Sequence, residues 1–373
     1  MTGEVRAYLD YAGFGRLRPA AVTAMSAALE RVLPDGSARI GELFGVRATA
    51  RDAMARLLDC TPAEVALVPN TSTGIHLVAD GLDWRPGDRV LLCEGDFPAN
   101  VRPWLRLERQ GVKVDRVPMR GGGHLLEDMA SAIGPDTRLV AVSHVNFATG
   151  FRCDLDAVCA LAAEVGALVS VDAVQSLGAL PLSTADTPVD FLAAGAHKWL
   201  CGPPGTGVFY CRAERLPLLR TTPTGWFGFD GAADLMKGSA RLRYDLPERA
   251  AAARVEGGMY NILGTVGLAA ALAELEAVGV AAVTARVLRL ADRIRTGLQE
   301  RGYCLAGPAD AAARSGIVSF YEPGGDSAAM VADLVGAGIH VSLPDGLVRV
   351  SPHYWTNDAE IDFLLSGISV RRS

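Results

Sequence analysis

Phe191-Leu-Ala-Ala-Gly-Ala-His-Lys-Trp-Leu-Cys-Gly-Pro-Pro-Gly-Thr-Gly-Val-Phe-Tyr210 sets one lysine, Lys198, among small and apolar residues, ahead of a Gly/Pro turn and a strand-like run. A lysine placed there loses solvation, which depresses its pKa and favours the neutral, nucleophilic amine. The competing reading is a lysine at a loop edge with its head in water. Upstream, Leu168-Val-Ser-Val-Asp-Ala-Val-Gln-Ser176 ends another apolar run on Asp172. An acid in that position is costly unless it meets a cation; the alternative role is a helix N-cap. Gln175 follows three residues later. A third run closes on Asn70-Thr-Ser-Thr-Gly-Ile75, where Thr71 and Ser72 would offer hydroxyls and amides to an anion at the positive end of a helix. Alone it is a capping sequence. Three strand ends thus offer an anion cradle, an acid and a lysine.

The surrounding pattern explains why strand ends matter. Runs at 65–69, 89–93, 112–117, 139–143 and 168–171 are rich in Val, Leu and Ala without clean polar alternation, as expected of strands covered on both faces. Helical spacing at 74–81, 99–110, 125–133 and 155–165 alternates with them, and Gly/Pro/Asn clusters separate the two kinds. The pattern predicts an α/β fold with a mostly parallel sheet between helices, whose sites lie at the carboxyl ends of strands. From residue 265 the pattern changes to a long helical segment (265–299), strand-like runs at 317–321, 340–343 and 348–351, and a last helix at 358–368. We therefore divide the chain into an N-terminal segment (1–20), a large domain (21–264) and a smaller C-terminal α+β domain (265–373). Segment 221–244, mixing Gly, Pro, Trp and Phe, reads as a long ordered loop near the site.

Composition narrows the function. The chain has 373 residues, half of them hydrophobic, with a net charge of −6 and no basic stripe, so nucleic acid is disfavoured. No window reaches the roughly 18 uninterrupted apolar residues of a membrane span, and the N-terminus lacks an apolar signal core. The seven cysteines are scattered and form no CxxC pair, which argues against a disulfide framework or a zinc site and suits a cytoplasmic enzyme.

Taken together, Val171-Asp-Ala-Val-Gln175 and Ala196-His-Lys-Trp199 resemble the class V aminotransferase superfamily of fold-type I pyridoxal 5′-phosphate (PLP) enzymes. That group includes cysteine desulfurases, selenocysteine lyases, isopenicillin N epimerase and C–S lyases. The resemblance runs from Tyr8-Leu-Asp-Tyr-Ala-Gly13 to Arg349-Val-Ser-Pro-His-Tyr-Trp-Thr-Asn357. It implies a mostly parallel seven-stranded sheet in the large domain and a homodimer with shared active sites. It also implies that Lys198 joins the cofactor aldehyde and later moves the Cα proton, and that Asp172 pairs with the ring nitrogen. Gln175 would contact the ring oxygen, Thr71, Ser72 and His197 the phosphate, and Phe97 would stack on the ring. Arg349 matches the clamp on the substrate α-carboxylate. Asn146 and Trp226 are further substrate-side candidates. Gly195 and Met259 replace small hydroxyl residues common in the family at phosphate contacts.

The same resemblance constrains the reaction. Desulfurases carry a nucleophilic cysteine on a loop before the carboxylate-binding arginine, whereas Gly338-Ile-His-Val-Ser-Leu-Pro-Asp-Gly-Leu347 has none. Cys201 reads as a small residue packed under the turn. The expectation is C–S cleavage of a cysteine conjugate by β-elimination, in keeping with secondary metabolism. An epimerase, an aminotransferase, a decarboxylating or oxidatively deaminating enzyme of an antibiotic pathway, or a non-catalytic scaffold are the alternatives.

Overall fold

The structure is a computed structural model, and it describes residues 4–220, 225–231 and 244–370. Its centre is a seven-stranded sheet of β2 (Val65–Val68), β3 (Arg89–Cys93), β4 (Lys113–Val117), β5 (Thr137–Ser143), β6 (Leu168–Asp172), β7 (Phe191–Gly195) and β8 (Gly207–Cys211), in the order β2-β8-β7-β6-β5-β3-β4. All neighbours pair in parallel except β8, which runs antiparallel to both β2 and β7. Every residue of β6, β7 and β8 is buried, which accounts for the absence of polar alternation in their sequences.

Successive side chains point to opposite faces, so each strand feeds two cores. Leu139, Ala141, Phe191 and Ala193 join one core with Ile75, Trp104 and Phe209. Val140, Val142, Leu192 and Ala194 join the other with Leu58, Val158, Trp199 and Leu272. The helices of the layers are α1 (Pro19–Arg31), α2 (Gly41–Leu58), α3 (Thr71–Gly81), α4 (Arg102–Leu105), α5 (Leu126–Ala132) and α6 (Leu155–Val165). The helix expected at 99–110 shrinks to the single turn α4 between 3₁₀ turns, because Pro98 and Pro103 remove amide donors and hold the chain to helix starts.

The expected 265–299 helix is two. α7 (Ile262–Val278) and α8 (Val280–Glu300) meet at 82°, with Gly279 at φ +81° between them. α7 packs on α1 and α2, and its Leu268, Leu272 and Leu275 belong to the large sheet's core. Beyond it, β9 (Cys304–Leu305), β10 (Val318–Tyr321) and β12 (Val348–Val350) form a small antiparallel sheet in the order β12-β10-β9, with α9 (Ser327–Gly336) and α10 (Asp358–Gly367). β11 (Ile339–His340) pairs instead with β1 (Ala7–Tyr8) near the N-terminus. Ala7 and Leu9 therefore share a core with Ile294, Phe320 and Val350. No single helix among the described residues is long and apolar enough to cross a membrane; the bent α7–α8 pair meets that criterion by length and composition only. Of the expected loop at 221–244, only residues 225–231 and 244 lie within the described part, and they include a short 3₁₀ turn at Trp226–Gly228.

One close approach fixes the helix that faces the site. A Cβ on Gly74 would stand 2.6 Å from Ala193 Cβ, so α3 lies against β7 only because residue 74 has no side chain. Gly74→Val is expected to destabilise the protein by about 1–3 kcal/mol through overpacking. An unchanged denaturant midpoint would show that α3 can lift away freely.

Candidate active site

The carboxyl ends of β6 and β7 deliver the acid and the lysine side by side. Asp172 is 3% exposed, and its Oδ1 accepts one hydrogen bond, from the Val174 amide at 3.0 Å. Burial pushes its carboxyl up to about 6, against the opposing pulls of that amide and of Lys198. With the folded value raised, protonated Asp172 stabilises the free protein at low pH, and that contribution is lost as pH rises through about 6. A cation set against this carboxyl would reverse the penalty.

Lys198 follows β7 in a tight turn. The Cys201 amide donates to the Lys198 carbonyl at 3.0 Å with Cys201 at φ +51°, and the Gly202 amide donates to the Ala196 carbonyl at 2.9 Å. The N-terminal segment is strapped over this turn, with the Gly15 amide donating to the His197 carbonyl at 2.7 Å. A Cβ on Gly15 would meet the Lys198 carbonyl oxygen at 2.0 Å, so only glycine fits. Burial lowers the Lys198 ammonium to about 8; Asp172 pulls it upward and Arg349 pushes it further down. An amine near 8 is partly neutral at working pH and is a competent nucleophile and proton carrier.

The anion cradle is built at the start of α3. Asn70, not Thr71 or Ser72, caps this helix, its side chain accepting from the Thr73 amide at 2.9 Å. The first amides of the helix have no intrahelical partner and carry its positive dipole end. Thr71 Oγ1 accepts from the Gly195 amide at 2.8 Å, which leaves its own proton to donate. His197 lines the same cavity, and burial, together with Lys198, lowers its imidazole pKa. A Cβ on Gly195 would lie 2.9 Å from two atoms of that ring, so a side chain there would have to displace the imidazole.

Phe97 and Arg349 complete the cavity, which holds about 480 Å³ and is lined by Thr71, Ser72, Phe97, Asp172, His197, Lys198 and Arg349 together with Phe147 and Pro344. Phe97 is 46% exposed, its ring centroid 5.7 Å from Lys198 Nζ and edge-on to Phe147. Arg349, from β12, is buried and held on three sides. It donates to Asp10 Oδ1 at 3.0 Å, to Ser342 Oγ at 3.1 Å and to the Phe147 carbonyl at 2.9 Å. Asp10 Oδ1 also accepts from Ser342 Oγ at 2.8 Å and from the Gly13 amide at 3.2 Å. A guanidinium has five N–H donors, so this leaves Arg349 two for a ligand carboxylate.

Three expected residues are placed differently. Gln175 does not line the cavity: its Oε1 accepts from the Trp199 indole and its Nε2 donates to the Ala12 carbonyl, both at 3.0 Å, with one amide proton left over. Asn146 is a turn organiser, not a wall. Its Nδ2 donates to the Gly95 carbonyl, and its Oδ1 accepts from the Ala148 and Thr149 amides, all at 3.0 Å. Its neighbour Phe147 faces the cavity instead. Trp226 stacks on Phe227 at 3.7 Å, and Phe227 in turn meets Tyr260 and Arg47, away from the cavity. The sequence reading missed Asp10, Ser342 and Phe147. The one available signal was Asp10 followed three residues later by glycine, a local turn that its carboxylate closes.

Comparison with known proteins follows the same lines. The aminotransferase class-V family profile matches residues 7–354. A probable cysteine desulfurase of Methanothermobacter thermautotrophicus is 30% identical over 343 residues, covering 84% of this chain and 81% of its own. The isopenicillin N epimerase of Streptomyces clavuligerus is 27% identical over 331 residues, covering 86% and 83%. Two solved structures of the C–S lyase C-DES are similar throughout. The complex of this cystine C–S lyase with its reaction product, cysteine persulfide, has a TM-score of 0.86 at 26% identity and 96% coverage of each chain. A lysine-to-alanine variant with glycine covalently linked to the PLP cofactor has a TM-score of 0.88 at 25% identity, covering 96% of this chain and 95% of that one.

The residues present fit PLP. A buried acid short of a cation, an amine of lowered pKa, an exposed aromatic ring beside that amine and a helix start with a free hydroxyl proton lie around one cavity. The chain has three lysines, at 113, 198 and 237. After reductive ¹³C-methylation of the free protein, the Lys198 signal is expected to titrate near pH 8, and lower still in Asp172→Asn, which removes its upward pull. A Lys198 titration at the ordinary 10.5, unmoved by Asp172→Asn, would contradict this geometry.

Proposed function

Because the chain belongs to the class-V aminotransferase family of PLP enzymes, we propose that it cleaves the C–S bond of an S-substituted cysteine by β-elimination. The observation that carries this reading is the cavity wall. All seven cysteines are free thiols and none lines the cavity. Where the resemblance places a nucleophilic cysteine, Pro344 faces inward instead. Cys304 lies on β9, and Cys201 is buried with its thiol pushed up to about 12. A reaction that needs a persulfide on the enzyme has no sulfur to use. β-Elimination needs none.

PLP, when bound, supplies an electron sink for charge developing at Cα. Asp172 then holds the proton on its ring nitrogen, while Thr71, Ser72 and His197 hold its phosphate. Arg349, kept in place by Asp10 and Ser342, takes the substrate carboxylate and aims Cα. The Lys198 amine accepts the Cα proton, and the sulfur departs from Cβ with the C–S bonding pair and gains a proton as thiol. The three-carbon remainder takes up water and ends as pyruvate and ammonia. Phe97, Phe147 and Pro344 give the sulfur substituent an apolar wall.

The 27% identity to an isopenicillin N epimerase supports a substrate from secondary metabolism and makes epimerisation the second reading. For the assembly we propose a homodimer. Met259 is 59% exposed within 256–261, the stretch where the resemblance puts the partner's contribution to the phosphate site.

Incubation with S-alkyl or S-aryl cysteines is expected to release pyruvate, ammonia and thiol in equal amounts. An intact Cβ–S bond with inverted Cα would favour the epimerase reading. Lys198→Ala is expected to lower kcat at least about a thousandfold while leaving the unfolding midpoint close to wild type, because it removes the proton carrier. Arg349→Lys keeps the charge but loses the fork, and a KM at least about tenfold higher is expected. An unchanged KM would remove Arg349 from the carboxylate site.

A further inference from the structure

The C-terminal part holds a second cavity, of about 700 Å³, which shares no residue with the catalytic one. Asp292, Arg295, Thr296 and Gln299 line it from one face of α8, at i, i+3, i+4 and i+7. Arg314 and Tyr321 close it from the other side. Arg295 is only 4% exposed, and its Nε and Nη2 have no hydrogen-bond partner among the described residues. Its remaining nitrogen makes one long contact, to the Pro308 carbonyl at 3.5 Å. Arg314 donates to the Ala309 carbonyl at 2.5 Å and approaches Asp292 at 3.4 Å, while its Nε has no partner among the described residues.

The charge balance is one-sided. Among the described residues, two guanidiniums line the cavity against one carboxylate, Asp292, whose side chain is 59% exposed and therefore well screened. A buried charge without a counter-charge is strongly unfavourable. Burial and the neighbouring Arg314 push the Arg295 guanidinium below its ordinary value against the upward pull of exposed Asp292, the direction that a buried anionic partner would reverse. The other polar side chains of the lining, Thr296, Gln299, Tyr303, Cys304 and Tyr321, are groups able to donate. Backbone also yields to this guanidinium: a Cβ on Gly307 would stand 3.0 Å from Arg295 Nη2 and 2.6 Å from the Thr149 carbonyl oxygen. Arg295 thus sits where the small sheet meets the 146–150 turn.

We propose that this cavity is an oxyanion site, separate from the cofactor's, that takes a carboxylate or phosphate group between Arg295 and Arg314. Guanidinium pairs bind both groups through parallel N–H donors, and the volume admits a small metabolite rather than a lone ion.

The test uses PLP-saturated enzyme, so that phosphate cannot compete for the cofactor cradle. Thermal midpoints and calorimetric titrations are recorded with inorganic phosphate and, separately, with succinate, against sodium chloride at equal ionic strength. A saturable response to at least one probe is expected, and the responding probe identifies the anion class. Binding weakened at least tenfold in Arg314→Gln, and likewise in Arg295→Met, is the expected pattern. Arg314 is a partly exposed side chain, so its variant carries the test if Arg295→Met fails to fold. No response beyond the chloride control for either probe, or a response that persists in Arg314→Gln, would overturn the proposal.

Discussion

The arrangement depends on keeping one amine and one carboxyl largely out of water at the ends of adjacent parallel strands. Burial alone drives Lys198 and Asp172 toward their neutral forms, and each partly restores the other's charge. The fold supplies this environment because β6 and β7 are covered on both faces, so whatever follows them at the carboxyl end starts from a dry platform. Groups poised between charged and neutral are what proton transfer at carbon requires. A surface lysine and a surface aspartate would have neither property.

The second constraint is that Arg349, the clamp proposed for the substrate carboxylate, comes from a different part of the chain. Arg349 rides on the small sheet, whereas Lys198 belongs to the large one, so their separation is set by whatever joins the two. The N-terminal segment does this. β1 pairs with β11, Asp10 grips Arg349, the Ala12 carbonyl binds Gln175, and Gly15 lies on the Lys198 turn. Tyr11 also stacks on His353 at 4.7 Å, and His353 binds the Trp199 carbonyl beside the lysine. Nine consecutive residues thus connect Arg349 to the Lys198 turn. Gly13 and Gly15 are required within it because a Cβ at either would strike Asp10 or Lys198.

Much of this was legible in the sequence, for reasons that can be named. Continuous apolar runs revealed β3, β5 and β6, and the residues closing β2, β6 and β7 marked the cradle, the acid and the lysine, because sites in such sheets occur at strand ends. Arg349, His197 and Phe97 required resemblance to a family, since none has a local pattern of its own. Contacts between distant segments were hidden. Gln175 is committed to Trp199 and Ala12, Asn146 to its own turn, and the Asp10–Arg349 pair spans most of the chain. The 99–110 segment shows a local failure, where helical spacing was outweighed by two prolines. In α7–α8, a single glycine at positive φ turned one expected long helix into two.

The central claim is that Lys198 is the residue that carries the cofactor. The most direct measurement is borohydride trapping of the PLP-loaded protein followed by peptide mapping. With only three lysines in the chain, the assignment is unambiguous. The account predicts one phosphopyridoxyl group per chain, on the peptide containing Lys198. A label on Lys113 or Lys237, or none on a protein that stays colourless with PLP, would contradict it.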